Sequence, residues 1–386
     1  MFKKSLCSLF TLAGASILFA LPPHLGNKTF QSSSINAFDF DLSWENVRIE
    51  PTTGNDISVD IYCNKKSIAP SVKHSAKTLI IKTTPDLRLS FFRGKKLCTV
   101  IVKVLANKKF DEFNIHTSSG NIYGSLSFSA EEVHLEASSG NISMEGQIVS
   151  KDEIVIETSS GDSFVNYVQT TDLSATASSG NVTIENAVSK NASINTTSGN
   201  IIINGGSSTK TVMEASSGYI KCNNYSAETS VFETTSGNIK LQNLTSNKFK
   251  GSASSGNIIA ENFDCKGFEI STSSGTIGLD FSSYPVSNSS VKSSSGTQYI
   301  SMPKNSSITL QVSTSSGSFT NTFTNEKLAS HVDYNNKING GGAKVSFIAS
   351  SGNITLDTGD GVASGKSIIF DDDDKDIPVV IFNDEK

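Results

Sequence analysis

Residues 231–241 read VFETTSGNIKL, and variants of this stretch recur twelve times along the chain. Every copy has Ser followed by Gly at its centre, with Ser or Thr before them and usually Asn after them. Successive glycines lie 19 to 21 residues apart, except for a last spacing of 35. They are Gly120, Gly140, Gly161, Gly180, Gly199, Gly218, Gly237, Gly256, Gly275, Gly296, Gly317 and Gly352. So regular a period indicates a repeat architecture.

Apolar and polar residues alternate on both sides of each glycine, which indicates two short strands per copy. Apolar residues recur five and seven positions before Gly, as at Ile156 and Ile154, and two and four positions after it, as at Ile201 and Ile203. Such alternation buries one face of a strand. The position three before Gly is always small, mostly Ala or Thr, which suits a crowded inner corner.

The Ser-Gly step must be a corner between these two strands. Inward positions fall at odd offsets before Gly and at even offsets after it, so the pleat is interrupted between them. Gly suits a corner or bulge because it can adopt a positive φ, and Asn, which often follows it, also tolerates the left-handed region. We expect Asn121 to stack on Asn141, and Asn181 on Asn200, as side-chain ladders.

A single copy is too small to be stable alone. Burying four apolar side chains contributes about 6 to 12 kcal/mol, whereas ordering ~19 residues costs ~1.5 kcal/mol for each residue. Stability must come from stacking, with backbone hydrogen bonds between coils ~4.8 Å apart. The sequence therefore predicts an all-β fold, a single-stranded parallel β-solenoid (β-helix) of about twelve coils of 19–21 residues.

The chain divides into four parts. Residues 1–20 begin with two lysines before an apolar run, which is typical of a signal peptide. The alternative is an uncleaved N-terminal membrane anchor, although the run is short for a span. Residues 38–110 are expected to form a basic N-terminal β cap or module, residues 111–357 the solenoid, and residues 358–386 an acidic tail. We expect an exported protein, in the cell envelope or secreted.

Four cysteines follow the predicted signal peptide, in a compartment where disulfides persist. Cys63 and Cys98 lie on strand-like runs of one segment and either pair or remain as two buried thiols. Cys222 and Cys265 occupy different places in their repeats, so we do not pair them.

Charge is distributed unevenly along the chain. The net charge of -5 argues against nucleic acid as a partner, but residues 65–109 hold twelve Lys or Arg and one acid, giving +11. These cations could bind anionic lipid headgroups or an acidic envelope polymer. Alternatively they only solvate the cap or pair with the acids at 371–374. The candidate residues for binding a polyanion are Lys65, Lys66, Arg88, Arg93, Lys95, Lys96, Lys108 and Lys109.

One outward column, four residues before each Gly, carries several acids. It contains His116, Glu136, Glu157, Thr176, Asn195, Glu214 and Glu233. Stacked glutamates repel each other, so a cation such as calcium would be favoured there. The alternative is an ordinary solvated face. We assign no catalytic residue, no cofactor and no metal ligand from the sequence.

The TSSGNI, ASSGNI and TTSGNI repeats behind a β-rich front segment resemble the bacterial "putative adhesin" family of otherwise unknown function. The resemblance covers roughly residues 40 to 360, including GGGAKVSFIASSGNITL at 340–356. It implies adhesion to a host or cell-surface ligand, or another interaction in the envelope, and supplies no binding residues. We expect an adhesin-like or structural protein that presents repeated polar faces on a rigid solenoid. A polysaccharide-active β-helix enzyme, a lyase or hydrolase, is the alternative. Such an enzyme needs clustered acids in a groove, whereas the acids here are scattered, so we expect no enzyme.

Overall fold

The computed structural model of the chain describes residues 21–85 and 96–359. The predicted signal peptide, Arg88, Arg93, Lys95 and the acidic tail from residue 360 onward lie outside these residues. Two 3-10 helices, Ser32–Ser34 and Lys66–Ile68, interrupt the strands of the N-terminal part. In the described part of the chain, no helix has the length and apolar character needed to span a membrane.

The described residues form one continuous sheet of 28 strands. The N-terminal strands are β1 His24–Gln31, β2 Ala37–Leu42, β3 Asn46–Thr52, β4 Asp56–Cys63, β5 Ser71–Ser75, β6 Thr78–Lys82 and β7 Cys98–Leu105. The middle strands are β8 Lys109–Thr117, β9 Ile122–Gly124, β10 Phe128–Ala137, β11 Ile142–Thr158, β12 Ser163–Ala177, β13 Val182–Thr196, β14 Ile201–Ile203, β15 Gly206–Ala215, β16 Ile220–Thr234, β17 Ile239–Ala253, β18 Ile258–Cys265, β19 Phe268–Thr272, β20 Ile277–Phe281, β21 Ser289–Ser293 and β22 Gln298–Pro303. The C-terminal strands are β23 Ile308–Thr314, β24 Ser318–Asn321, β25 Glu326–Ala329, β26 Val332–Ile338, β27 Ala343–Ala349 and β28 Ile354–Gly359.

Neighbouring repeats pair in parallel and in register. Ile220 lies opposite Ile239, which in turn lies opposite Ile258, so equivalent positions of successive copies form straight columns. The inward columns are mostly apolar and buried, with buried Thr or Ser beside many of the corners, and the apolar residues form one continuous core. The predicted fold is therefore confirmed as a parallel β-solenoid, which has about ten turns.

The glycines form a ladder through the stack. Ten of them, from Gly120 to Gly296, follow each other in the order of the chain. Gly120 packs against the carbonyl group of Glu45, and each of the other nine packs against the carbonyl group of the glycine before it. The last two are reversed, since Gly352 packs on Gly296 and Gly317 packs on Gly352. The last two copies therefore stack in the reverse of their order in the chain.

The residues between the last two repeats explain this reversal. They form β25 and β26, which pair antiparallel with β24 and β23 of the Gly317 coil. Because these strands cover one edge of that coil, its other edge is the one that β27 and β28 join. The last coil is thus inserted between two earlier ones, and antiparallel strands protect an end that would otherwise expose unpaired backbone groups.

The N-terminal end is built in a similar way. The coil formed by β2 and β3 lies between β6 and β7 on one side and β8 and β9 on the other, with parallel pairing throughout. Antiparallel strands β5 and β4 then cover β6 and β7, and β1 extends the sheet beyond β4. Residues 38–85 and 96–110 therefore share one sheet with the repeats, and both ends of the described stack carry antiparallel caps, as solenoids require.

Candidate functional site

The outward column predicted from the repeats is present, and it extends beyond the first repeat. Parallel pairing places Asp41, His116, Glu136 and Glu157 at consecutive levels of the stack. A second column lies two residues away on the same face and contains Asp39, Asn114 and His134. The two columns bring acids and imidazoles together near the N-terminal end of the solenoid.

Two histidines lie within ion-pair distance of two glutamates in these columns. Nδ1 of His116 is 3.0 Å from Oε2 of Glu136, and Nε2 of His134 is 3.7 Å from Oε2 of Glu157. All four side chains are partly accessible, with exposed fractions between 34% and 47%. One ligand atom each of His134, Glu136 and Glu157 lies within 4.8 Å of the other two. A group of mixed nitrogen and oxygen donors therefore converges here.

His134 and Glu136 of this group line an open groove of about 250 Å³. Asp39, Asp41 and Lys82 also line this groove, and Nζ of Lys82 is 3.4 Å from Oδ2 of Asp39. His134 was not predicted because it lies outside the single column that the repeats indicated. Asp39, Asp41 and Lys82 were not predicted because they lie outside the repeats. The strand pattern around residue 40 was a signal that this segment adds a coil to the stack.

The remaining glutamates of the predicted column have a lysine partner instead. Glu214 and Glu233 occupy consecutive levels, and Nζ of Lys250 lies 2.6 Å from Oε1 of Glu233. The hydrogen bond from Lys250 to Glu233 is the main reason that the pKa of this lysine is raised. The ammonium group of Lys250 thus offsets the repulsion between these two glutamates.

The predicted basic residues that the structure describes fall into two groups. Cys63 and Cys98 lie opposite each other in the antiparallel β4–β7 pair, and the backbone N–H of Asn64 donates to the carbonyl of Leu97 at 3.0 Å. Lys65 and Lys66 come directly after Asn64 in the chain, and Lys96 comes directly before Leu97, so all three lie at this end of the β4–β7 pair. All three are exposed. We call these three residues the basic corner. Lys96 also lies 5.7 Å from the ring centre of Trp44.

Lys108 and Lys109 lie at the other end of β7, roughly 25 Å away along an eight-residue strand. Nζ of Lys108 donates to the carbonyl of Ser32 at 2.8 Å and lies 5.4 Å from the ring centre of Phe110. Burial is the main reason that the pKa of Lys108 is lowered. Lys108 therefore has a structural role, and the described basic residues do not form one continuous patch.

Cys63 and Cys98 form a disulfide that joins β4 to β7, with their Cα atoms 4.1 Å apart. Of the two alternatives left open by the sequence, the structure has the disulfide. Cys222 and Cys265 are buried free thiols whose pKa values are raised by burial, that of Cys265 to about 12. They belong to the core and have no sign of reactivity.

Comparison with solved structures gives matches of low sequence identity. A "putative adhesin" from Parabacteroides distasonis is 13% identical, with a TM-score of 0.41, and the match covers 72% of this chain and 97% of that one. A "putative lipid binding protein" from the same organism is 14% identical, with a TM-score of 0.39, covering 85% and 96%. A "putative adhesin" from Parabacteroides merdae is 11% identical, with a TM-score of 0.32, covering 71% and 95%.

Comparison with curated proteins finds no match. The family model described as Toastrack DUF4097 matches residues 35–226 and again residues 208–357. Together these two matches span nearly all of the described solenoid, including the N-terminal coil formed by β2 and β3. The chain therefore belongs to the Toastrack DUF4097 family.

Proposed function

We propose that this chain is an exported, non-enzymatic protein of the cell envelope whose rigid solenoid attaches to an anionic surface through its basic corner. The observation that carries the proposal is the pairing of Cys63 with Cys98, which brings Lys65 and Lys66 beside Lys96 although about 30 residues separate them in the chain. All three side chains are exposed.

The electrostatic contribution of the basic corner to the free energy of binding is large enough to affect affinity. Each cation held near an anionic membrane contributes up to about 1 kcal/mol, so three contribute up to ~3 kcal/mol, or roughly 100-fold in affinity. Lipid headgroups and acidic polysaccharides offer the same chemistry, since both present closely spaced anions. Binding to either is expected to weaken steeply with salt because the charges are exposed.

A charge-reversal variant tests the proposal. The parent is expected to sediment with phosphatidylglycerol vesicles at low salt and not with phosphatidylcholine vesicles. Lys65→Glu/Lys66→Glu/Lys96→Glu should lose most of this binding. Lys190→Glu/Lys210→Glu/Lys248→Glu makes the same change in net charge at exposed lysines of the repeats and should retain it.

Two further outcomes would distinguish a polysaccharide from a lipid surface or reject the proposal. Retention of the parent on immobilised polygalacturonate, without binding to the anionic vesicles, would assign the corner to a polysaccharide. Equal losses in the two triple variants would show that only net charge matters and would reject the basic corner.

Export is the second part of this proposal. The apolar run after two lysines within residues 1–20 and the Cys63–Cys98 disulfide both support it, because disulfides persist mainly outside the cytosol. The mature chain recovered from a bacterial envelope fraction should lack about the first 20 residues by mass. Recovery of a full-length, fully reduced chain from the cytosol would contradict export.

A further inference from the structure

The His134–Glu136–Glu157 group has no part in the attachment proposed above, and its donors suit a metal ion. His134 and Glu136 belong to one coil and Glu157 to the next, so pairing of β10 with β11 fixes their relative positions. Parallel pairing sets Glu136 directly against Glu157. Two carboxylates held at adjacent levels repel each other unless a cation lies between them.

We propose that His134, Glu136 and Glu157 bind one divalent transition-metal ion, with zinc as the best match. Zinc takes imidazole nitrogen and carboxylate oxygen at about 2.0 to 2.2 Å, so neighbouring tetrahedral ligands lie roughly 3.3 Å apart. Nε2 of His134 and Oε2 of Glu157 are 3.7 Å apart, and the three donors already converge within 4.8 Å. Only small side-chain rotations separate this arrangement from coordination.

The imidazole decides the class of metal. Calcium takes six to eight oxygen ligands, whereas this group offers two carboxylates and a ring nitrogen. Imidazole is a preferred ligand of zinc, copper, nickel and iron. The calcium that stacked glutamates alone suggested is therefore replaced by a borderline-soft ion, and three protein ligands leave a position for water.

His116 acts as a positioning residue for Glu136. Its Nδ1 is buried and makes no well-oriented hydrogen bond to the described residues, yet Oε2 of Glu136 lies only 3.0 Å away. Donation from this nitrogen would hold one oxygen of Glu136 and leave the other for the metal. Such outer partners commonly orient the carboxylate ligands of metal sites.

Isothermal titration of the mature chain with zinc, calcium and magnesium chlorides tests the site. The parent should bind one equivalent of zinc that His134→Gln/Glu157→Gln does not bind. The matched control is Glu214→Gln/Glu233→Gln. It removes two stacked glutamates from the same column, at levels where the column has no histidine. This control should bind zinc as the parent does, and His116→Gln should bind it at least ~10-fold more weakly.

Other results would overturn the assignment. An unchanged zinc stoichiometry in His134→Gln/Glu157→Gln would place the ion elsewhere, for example at His24 and Asp60, which lie 3.1 Å apart. Calcium binding as tight as zinc binding would reject a transition-metal site. Circular dichroism checks that the variants fold. If the double variant does not fold, the single change His134→Gln, at an exposed residue, must itself abolish binding of the one equivalent of zinc.

Discussion

The carbonyl oxygen of Gly120 lies 1.7 Å from the place that a Cβ atom on Gly140 would occupy. The same relationship recurs from coil to coil, with distances of 1.6 to 1.9 Å throughout the ladder. Corner glycines are therefore required by close approach of the neighbouring backbone. The positive φ expected at these corners from the sequence is wrong, since none of the twelve glycines has one.

Replacing one glycine in the middle of this ladder should be severely destabilising. In Gly199→Ala the new Cβ would lie 1.8 Å from the oxygen of Gly180, and backbone atoms of both coils would have to separate. We expect a loss of more than ~4 kcal/mol, beyond the range of most substitutions, measured by chemical unfolding. Gly26→Ala is the control, since nothing lies within 4 Å of its Cβ position. Similar stabilities for the two variants would contradict this account of the corner.

The small residue before each corner has a bridging role where it is Thr. Oγ1 of Thr196 accepts from the N–H of Gly199 at 3.0 Å and donates to the carbonyl of Gly180 in the adjacent coil at 3.2 Å. Thr196→Ala leaves buried groups unpaired and should cost about 1 to 3 kcal/mol. Thr197→Ala changes an exposed neighbour and should cost less than ~0.5 kcal/mol. Equal costs in urea titrations would show that the bridge contributes nothing.

The Cys63–Cys98 disulfide closes a loop with a sequence separation of 35. By limiting the unfolded chain, a loop of this length contributes up to about 4 kcal/mol. Cys63→Ser/Cys98→Ser should therefore unfold at a lower urea concentration than the oxidised parent. A reducing agent should lower the parent to the level of the variant and leave the variant unchanged. Coincident unfolding curves for oxidised and reduced parent would contradict this expectation.

Much of the fold follows from the sequence because period and alternation both repeat. The expected contact of Asn121 with Asn141 is confirmed, although the side-chain oxygen of Asn121 accepts from the backbone N–H of Asn141, at 2.8 Å. Tyr219 stands where most copies have Asn, and its backbone N–H still donates to the side-chain oxygen of Asn200, at 3.0 Å. Neighbour relations inside the regular stack were therefore predictable from one repeat.

A second asparagine ladder was not predicted. Asn224, Asn243 and Asn262 adopt φ values of 50°, 55° and 49°, each six residues after the corner glycine of its copy. Their side-chain amides donate to each other in series, each at 2.7 Å. Four of the twelve copies carry Asn at this position and only three of these are consecutive, so no repeat consensus revealed the ladder.

Contacts between coils that depend on a single insertion or on a non-repeated segment could not be predicted from the sequence either. The packing of Gly352 on Gly296 depends on which edge of the Gly317 coil the antiparallel strands cover. The approach of Asp41 to His116 depends on a coil that lacks the repeat motif altogether. Pattern alone identifies such segments as strands but does not give their level in the stack.

A half-buried carboxylate in β18 gives a prediction about pH. Burial is the main reason that the pKa of Glu261 is raised, from 4.5 to about 7, and the nearby charge of Asp280 adds to it. At pH values below 4.5 the carboxyl group is protonated in the folded and unfolded chain, so it has no effect on stability. Between 4.5 and 7 the unfolded chain loses its proton first, so the free energy of unfolding falls, and above 7 the penalty is constant.

Glu261→Gln removes this titration while keeping the shape of the side chain. We expect the variant to match the parent in Tm at pH 4 and to exceed it at pH 8, with the difference developing between these limits. Asp280→Asn removes the second cause of the raised pKa, so in that background the effect of Glu261→Gln at pH 8 should be smaller. It should not vanish, since burial is the larger cause. A Tm difference that is the same at pH 4 and pH 8 would mean that Glu261 ionises equally in the folded and unfolded chain.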